Sequence, residues 1–583
     1  MKKGIKVFSR DGIAAVKKEM LQLHDRKVMA PKHAKELTPE QKREALAYLM
    51  FLQRKRCGKI KGRGCADGRK QRAYTAREDA ASPTVATELI FLTAVMDALE
   101  GHDVAIIDVP GAFMQADMDE LVHVRFTGKM LDLLLEIDQE MYEPCVTMEG
   151  KERVMYMELL KALYGTIRAA RLFWEKLSGK LAEWGFTPNP YDPCVMNKMI
   201  EGKQLTVAWH VDDLKVSHVL STVVDQFIED MEDEFGKETP INKSRGKVHD
   251  YLGMKLDFSK PGEVTVTMID YIKGVLHDVP KEMHGRAVTP AAAHLFQVNS
   301  TNPVYLGEEK AETYVRVVMQ LLFLNQCACP DICPAVSFLN SRLLMPDEDD
   351  YKKLTRLVRY LDSTVDMPLV LAADDSGQIR WWIDSSFAVH EDMKSHTGGT
   401  MSMGKGSIYS TSMKQKLVTR SSTEAEVVAV HDVMPQLMWT GHFLMEQGFC
   451  VKESLLYQDN TSSILIEKNG RSSCSKRMHH MNIRYFFVKD QVDSKRVRIE
   501  HCPTADMIAD YFTKPLQGAP FRKLRDLIMN LDPSSEYHSS NSVHRSVLRN
   551  IPTAENSSDI REPATSPPRS YKEALMGSEP SVG

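Results

Sequence analysis

Two apolar, β-branched runs that each end in acids restrict the fold of this chain more than any other feature. The run Leu205-Thr-Val-Ala-Trp-His-Val211 leads directly into Asp212-Asp213. A second run, Val104-Ala-Ile-Ile, leads into Asp108 and is followed by the turn signal Pro110-Gly111. Successive side chains on a strand point to opposite faces, so Asp212 and Asp213 serve one site only if a turn breaks the pleat between them. Taken singly, the Asp-Asp pair reads as a solvated turn and Asp108 as a strand-end residue. If the two strands are neighbours, the three carboxylates supply the hard oxygen ligands that a pair of Mg2+ ions needs for phosphoryl transfer.

A second set of acids lies nearer the C-terminus. The β run Ile379-Arg-Trp-Trp-Ile ends in Asp384, and three later segments bring Ser421-Ser-Thr-Glu-Ala-Glu426, Leu455-Leu-Tyr-Gln-Asp459-Asn460 and Ala505-Asp-Met-Ile-Ala-Asp510. The spacing suits a strand, a helix, a strand and a final helix converging on one site. Each acid also has a purely structural reading. Thr423 and Glu426 match a capping box, Asp459-Asn460 matches a turn, and either Asp506 or Asp510 fits as a ligand. Between the two sets, the apolar spacing from Tyr314 to Leu324 and from Tyr351 to Leu361 predicts helices, which form a connection.

Upstream, the stretch from Arg54 to Arg72 carries nine Lys and Arg against one Asp, interleaved with Gly58, Gly62, Gly64 and Gly68. Glycines admit close backbone approach and cations neutralise charge, so the segment suits phosphates, although a charge run is ordinarily a solvated face. The net charge of −4 hides this tract and a second one from Lys476 to Arg484.

These residues resemble, in register, the reverse transcriptases of copia-type LTR retrotransposons. Asp108-Val-Pro-Gly-Ala-Phe113 resembles the first palm motif, and Leu163-Tyr-Gly-Thr-Ile-Arg-Ala-Ala-Arg171 with Trp174 resembles the template and nucleotide motif. His210-Val-Asp-Asp213 resembles the catalytic turn and Tyr251-Leu-Gly-Met254 the primer-side hairpin. The chain departs from the family pattern at His210, where an aromatic residue is usual, and at Ile167 and Ala170, where Lys and Pro are usual. The C-terminal acids resemble those of ribonuclease H, and this resemblance selects Glu426 and Asp510.

The resemblance implies a right-hand fingers and palm over residues 1–280, a helical thumb or connection over 281–364, a ribonuclease H-like α/β domain over 365–530 and a disordered tail over 531–583. It implies Asp108, Asp212 and Asp213 as one set of catalytic metal ligands and Asp384, Glu426, Asp459 and Asp510 as the other, with two Mg2+ ions per active site. Lys61, Arg63, Tyr164, Gly165 and Arg168 are expected to bind the nucleotide. Phe113 is expected to stack under its sugar and exclude a 2'-hydroxyl, and Arg54, Lys55, Arg56 and His480 are expected to contact nucleic acid.

The implied partners are an RNA template, a DNA primer, the RNA/DNA hybrid and deoxynucleoside triphosphates, with room for a homodimer or for association with integrase and capsid proteins. The expected location is intracellular, in a cytoplasmic virus-like particle or the nucleus. The capsid, protease and integrase regions of such polyproteins have no counterpart here, which suggests a processed product, a truncated copy or a partial gene model. A catalytically inactive relic that retains nucleic-acid binding is the competing expectation.

Composition adds bounds. A chain of 583 residues exceeds what one core supports, and 43% hydrophobic with 26% charged residues is ordinary for a soluble protein. No run of about 18 apolar residues occurs, so neither a membrane span nor a membrane partner is expected. The ten cysteines are irregularly spaced, as expected of reduced thiols. Neither Cys327, Cys329 and Cys333 nor Cys474, His479, His480, His501 and Cys502 have the paired Cys-x-x-Cys spacing of a structural zinc site.

Overall fold

The computed structural model describes residues 2–54, 58–470 and 482–532, so Lys55, Arg56, His480 and the expected tail beyond residue 532 lie outside the described residues. The chain divides into two compact units, one of residues 1–85 and 103–245 and the other of residues 86–102 and 246–583. The architecture is mixed α/β, with four sheets among the described residues. Among the described residues no helix is long and apolar enough to cross a membrane.

The first unit contains two six-stranded sheets. In one, strands Leu46–Arg54 and Ile60–Ala66 form an antiparallel hairpin, with Phe51 opposite Arg63 and Gln53 opposite Lys61. Strict alternation along the second strand turns Lys61 and Arg63 to solvent and Gly62 and Gly64 inward. The inward glycines meet helix Lys2–Asp25. A Cβ on Gly62 would stand 2.8 Å from the Ala15 carbonyl oxygen, and one on Gly64 would stand 2.0 Å from the Tyr48 hydroxyl oxygen. At Gly62, glycine therefore serves packing against the helix, and at Gly64 it makes room for the Tyr48 side chain of the neighbouring strand while its N–H donates to Glu19 of the helix. Val16, Met20 and Leu23 of the helix join Tyr48, Phe126, Met155 and Met157 in a common core.

The other sheet of this unit is antiparallel throughout and runs in the order Asn242–Ser244, Asp103–Asp108, Asp213–His218, Lys203–His210, Asp192–Ile200, Thr187–Asn189. Ala105, Ile107, Val207 and Val216 are fully buried, which explains why the two central runs read as continuous apolar strands.

In the second unit, strands Val248–Tyr251, Met254–Asp257, Val264–Thr267, Leu369–Ala373 and Gly404–Lys405 form an antiparallel sheet. The stretch expected to be helical holds helices Glu308–Cys327, Cys333–Asn340 and Glu348–Ser363. Cys327, Cys329 and Cys333 are buried there as free thiols. Burial pushes the thiols of Cys327 and Cys333 up to about 12 and that of Cys329 well up, which suits core residues and opposes thiolate ligands.

The last sheet runs Tyr409–Lys414, His396–Ser402, Gln378–Ser386, Glu453–Gln458, Val497–His501. Its first three strands are antiparallel and its last two add in parallel. Helix Ser422–Glu446 provides the crossover between the antiparallel and parallel parts and packs on the central strand. This mixed α/β sheet with its crossover helix has the strand, helix, strand order that the spacing of the acids suits.

One contact tests the first unit directly. Gly165 has φ +90, and a Cβ there would lie 2.1 Å from the Ala66 carbonyl oxygen. Gly165→Ala is expected to destabilise the unit by about 2 kcal/mol or more, because backbone strain and a backbone clash add. Urea unfolding monitored by tryptophan fluorescence checks this, and an unchanged midpoint would contradict the packing described.

Candidate functional site

The first group of acids is assembled by strand pairing alone. Strands Asp103–Asp108 and Asp213–His218 are antiparallel neighbours with Asp108 directly opposite Asp213. Strand Lys203–His210 pairs with Asp213–His218 so that His210 faces Asp213, leaving Val211 and Asp212 as a two-residue turn. Val211 has φ +59, a left-handed conformation that costs a β-branched residue about 1–3 kcal/mol. The Val109 N–H donates to the Asp212 carbonyl at 3.1 Å and ties the turn to the end of the neighbouring strand. The turn breaks the pleat, and Asp212 comes to the same sheet end as Asp108 and Asp213.

The electrostatics reflect this crowding. Burial pushes the Asp213 carboxyl up to about 7, and the charges of Asp212 and Asp108 add to the shift. Burial also raises Asp212, with Asp108 adding and a backbone hydrogen bond, Arg63 and Lys61 opposing. The two hairpin cations thus act on the turn carboxylate. Arg63 also lies over the Tyr164 ring, 5.1 Å from its centroid, and Phe113 packs on the other ring contact of Tyr164 at 4.5 Å. Burial pushes the Tyr164 phenol up to about 12, with Asp212 the next cause, so it stays protonated. Burial lowers His210, which is therefore a neutral neighbour of the turn.

Other expected nucleotide and nucleic-acid residues are engaged elsewhere. Arg168 forms an ion pair with Asp119 at 2.7 Å, and Arg54 lies over the Phe8 ring at 5.6 Å. Gly165 serves the close packing on Ala66 already described.

The second group is tighter. Asp384 and Ser385 lie near the end of strand Gln378–Ser386, Glu426 lies in the first turns of helix Ser422–Glu446, and Asp459 follows strand Glu453–Gln458. Among the described residues, these three acids offer oxygen atoms that all lie within 4.8 Å of one another. Asp384 and Glu426 are buried, and burial raises both carboxyls, Glu426 well above its usual range, with neighbouring acids adding. Gln458 Nε2 donates to Glu426 Oε2 at 3.2 Å, and Thr504 donates to Asp459 Oδ2 at 3.1 Å. Asp510 heads the short helix Asp510–Thr513 and approaches Asp384, whereas Asp506 pairs with Lys523.

The capping role read for Glu426 falls two residues earlier. Ser421 is the N-cap and accepts from the Glu424 N–H, while the Glu424 carboxylate accepts from the Arg420 N–H. Glu426 is left to face the cluster.

Neutral or like-charged groups at such separations repel once ionised, and an all-oxygen, acidic donor set fits a hard divalent cation such as Mg2+. The cluster of Asp384, Glu426 and Asp459 passes this test on distance as well. The first group passes on donor chemistry and electrostatics, although its acids are less closely gathered.

Three partners escaped sequence reasoning. Asn242, on the edge strand in register with Asp108, donates its Nδ2 to Asp108 Oδ2. Glu19, on the N-terminal helix, accepts from the Gly64 N–H at 2.9 Å behind the hairpin cations. Lys514 pairs with Asp510 and stands near Asp384. Only Lys514 had a local signal, because residues three and four past an acid at a helix start lie over it.

Residues 38–292 match the family described as reverse transcriptase (RNA-dependent DNA polymerase). The chain is 26% identical over 477 residues to the retrovirus-related Pol polyprotein from transposon TNT 1-94 of Nicotiana tabacum, covering 81% of this chain and 34% of that protein. It is 25% identical over 475 residues to the Pol polyprotein from transposon RE1 of Arabidopsis thaliana, covering 81% of this chain and 30% of that protein. The chain thus spans about a third of the length of these relatives. Among solved structures it is similar to a foamy viral protease-reverse transcriptase in complex with double-stranded DNA, with TM-score 0.47, 11% identity, and coverage of 85% of this chain and 70% of that one. Over residues 38–292 the chain is thus similar to the reverse transcriptase family, and over about four-fifths of its length it is similar to Pol polyproteins of transposons.

Proposed function

We propose that the chain is an RNA-directed DNA polymerase that also cleaves the RNA strand of the hybrid it makes. The observation that carries the polymerase reading is the register that sets Asp108 opposite Asp213, with Asp212 on the strained turn beside them. Asp108, Asp212 and Asp213 would hold divalent ions, which would supply activation of a primer 3'-hydroxyl and charge stabilisation at the leaving pyrophosphate. Lys61 and Arg63 direct their charges toward that same end of the sheet and take the triphosphate. Phe113, packed on Tyr164, forms a rigid aromatic floor for the sugar and selects deoxynucleotides by exclusion. Asn242 fixes one oxygen of Asp108 and leaves the other for a ligand.

The cluster of Asp384, Glu426 and Asp459, with Asp510 beside it, supports the nuclease reading. Its Mg2+ would supply an activated water and charge stabilisation at the scissile phosphate. Gln458 orients Glu426, and Thr513 orients Asp384. Template, primer, hybrid and triphosphates are the corresponding substrates, and the working location is inside the cell.

Asp212→Asn is expected to reduce primer extension on an RNA template by at least about 100-fold, as loss of a metal ligand does, while hybrid cleavage persists. Asp384→Asn is expected to do the reverse. Extension that survives Asp212→Asn would overturn the polymerase assignment, and cleavage that survives Asp384→Asn would overturn the nuclease one.

A pH dependence follows from Asp213. Its raised carboxyl is neutral below about 7, so the stability this gives is present at low pH and is lost as pH rises through about 7, where repulsion among the acids appears. Asp213→Asn should therefore raise the thermal midpoint of the metal-free protein more at about pH 8 than at about pH 6. Mn2+ affinity of the wild-type site should strengthen over the same interval, because the ion competes with the proton. Calorimetry and thermal melts at both pH values decide this, and a pH-independent affinity would refute it.

A further inference from the structure

The nuclease centre contains a cation of its own. Lys514 follows helix Asp510–Thr513 as its C-terminal cap and reaches back over it. Its Nζ lies 2.5 Å from Asp510 Oδ1 and 3.7 Å from Asp384 Oδ2. The negative charges of Asp384, Asp510 and Asp459 raise its ammonium above the usual lysine range despite burial, so it is charged. Thr513, one residue earlier, donates its hydroxyl to the same Asp384 oxygen. Asp384 is thereby shared between two settings, with Glu426 and Asp459 on one side and Thr513, Lys514 and Asp510 on the other.

This arrangement makes the four acids unequal. Asp384, Glu426 and Asp459 converge within 4.8 Å, and Asp510 is not a member of that cluster. An ion bridging Asp384 and Asp510 would have to stand where the ammonium of Lys514 stands, and two cations at that separation repel strongly in a partly buried site. The lysine side chain is 38% exposed, so its head has an open route away from the acids.

We propose that Lys514 is an exchangeable cation that occupies the second metal position, so that the centre binds one divalent ion on Asp384, Glu426 and Asp459 and gains a second on Asp510 only when Lys514 moves to a phosphate oxygen of bound nucleic acid. This rests on the nuclease reading above. It makes the full metal complement depend on substrate, and it gives the centre a gate against hydrolysis without a hybrid in place. Lys514 is in this sense a positioning residue for Asp510.

The test is calorimetric titration of Mn2+ into the full chain carrying Asp212→Asn and Asp213→Asn, which removes the other acidic group from the count. The Lys514-containing protein should take up one ion at the centre, and a second when a hybrid with a non-hydrolysable backbone is present. Lys514→Met should take up the second ion without hybrid, or bind Mn2+ about tenfold more tightly, whereas Lys514→Arg should keep the count at one. Identical titrations for Lys514, Lys514→Met and Lys514→Arg would overturn the proposal. Adding Asp384→Asn separates the two ideas: loss of the first ion upholds the metal cluster, and an unchanged titration would remove the nuclease reading on which the proposal stands.

Discussion

Repulsion between buried carboxylates is the constraint on which both centres depend. Two unit charges about 4 Å apart in a medium of effective dielectric near 20 interact by about 4 kcal/mol, which no surface contact offsets. Backbone pairing imposes the proximity at Asp108 and Asp213, because Cα partners in an antiparallel ladder cannot separate without breaking the sheet. Burial raises Asp213 to about 7 and raises Glu426 well above its usual range, and the neighbouring acids add to both shifts. Such groups hold a proton or a cation, which is the physical ground for proposing a divalent ion at each site.

The two centres meet the constraint differently. In the first, the strained Val211 turn carries Asp212 to the sheet end, while Arg63 and Lys61 moderate its charge from the hairpin and Asn242 engages Asp108. In the second, neutral donors from Gln458 and Thr513 hold individual oxygens, and Lys514 supplies the countercharge. Cationic moderation in the first group comes from residues read as triphosphate ligands, so arrival of an anionic substrate would draw it away from the acids. In the second, the lysine stands on the same short helix as the acid it neutralises.

The strand-ending acids were legible because burial writes a continuous apolar run and chemistry forces an acid at its exposed end. Asp108, Asp212, Asp384 and Asp459 all announce themselves that way. Partners that reach a site across the chain left no such trace. Asn242 lies on a three-residue edge strand too short to show periodicity, and Glu19 looks like one polar residue on an amphipathic helix. Local patterns also misled where two solutions overlapped. Ser421-x-x-Glu424 and Thr423-x-x-Glu426 both satisfy the capping rule, and only the backbone dihedrals of Ser421 separate them. The glycines of the basic hairpin matched phosphate binding and helix packing equally well, and the inward direction of Gly62 and Gly64 assigns those two to packing.

That packing carries a consequence for the cations opposite. Lys61 and Arg63 project from the hairpin face away from the N-terminal helix, which presses on Gly62 between them, while the Tyr48 side chain packs on Gly64. Glu19 accepts the Gly64 N–H from behind, and its carboxyl is raised chiefly by burial, with Lys61, Arg63 and Arg26 opposing the rise. A carboxylate at that point draws on the same two cations that moderate Asp212. The hairpin is therefore a thin partition with negative charge on both sides and two cations in its outer face. Its backbone is held by the close approach of Gly62 to the helix, while Arg63 lies over the Tyr164 ring.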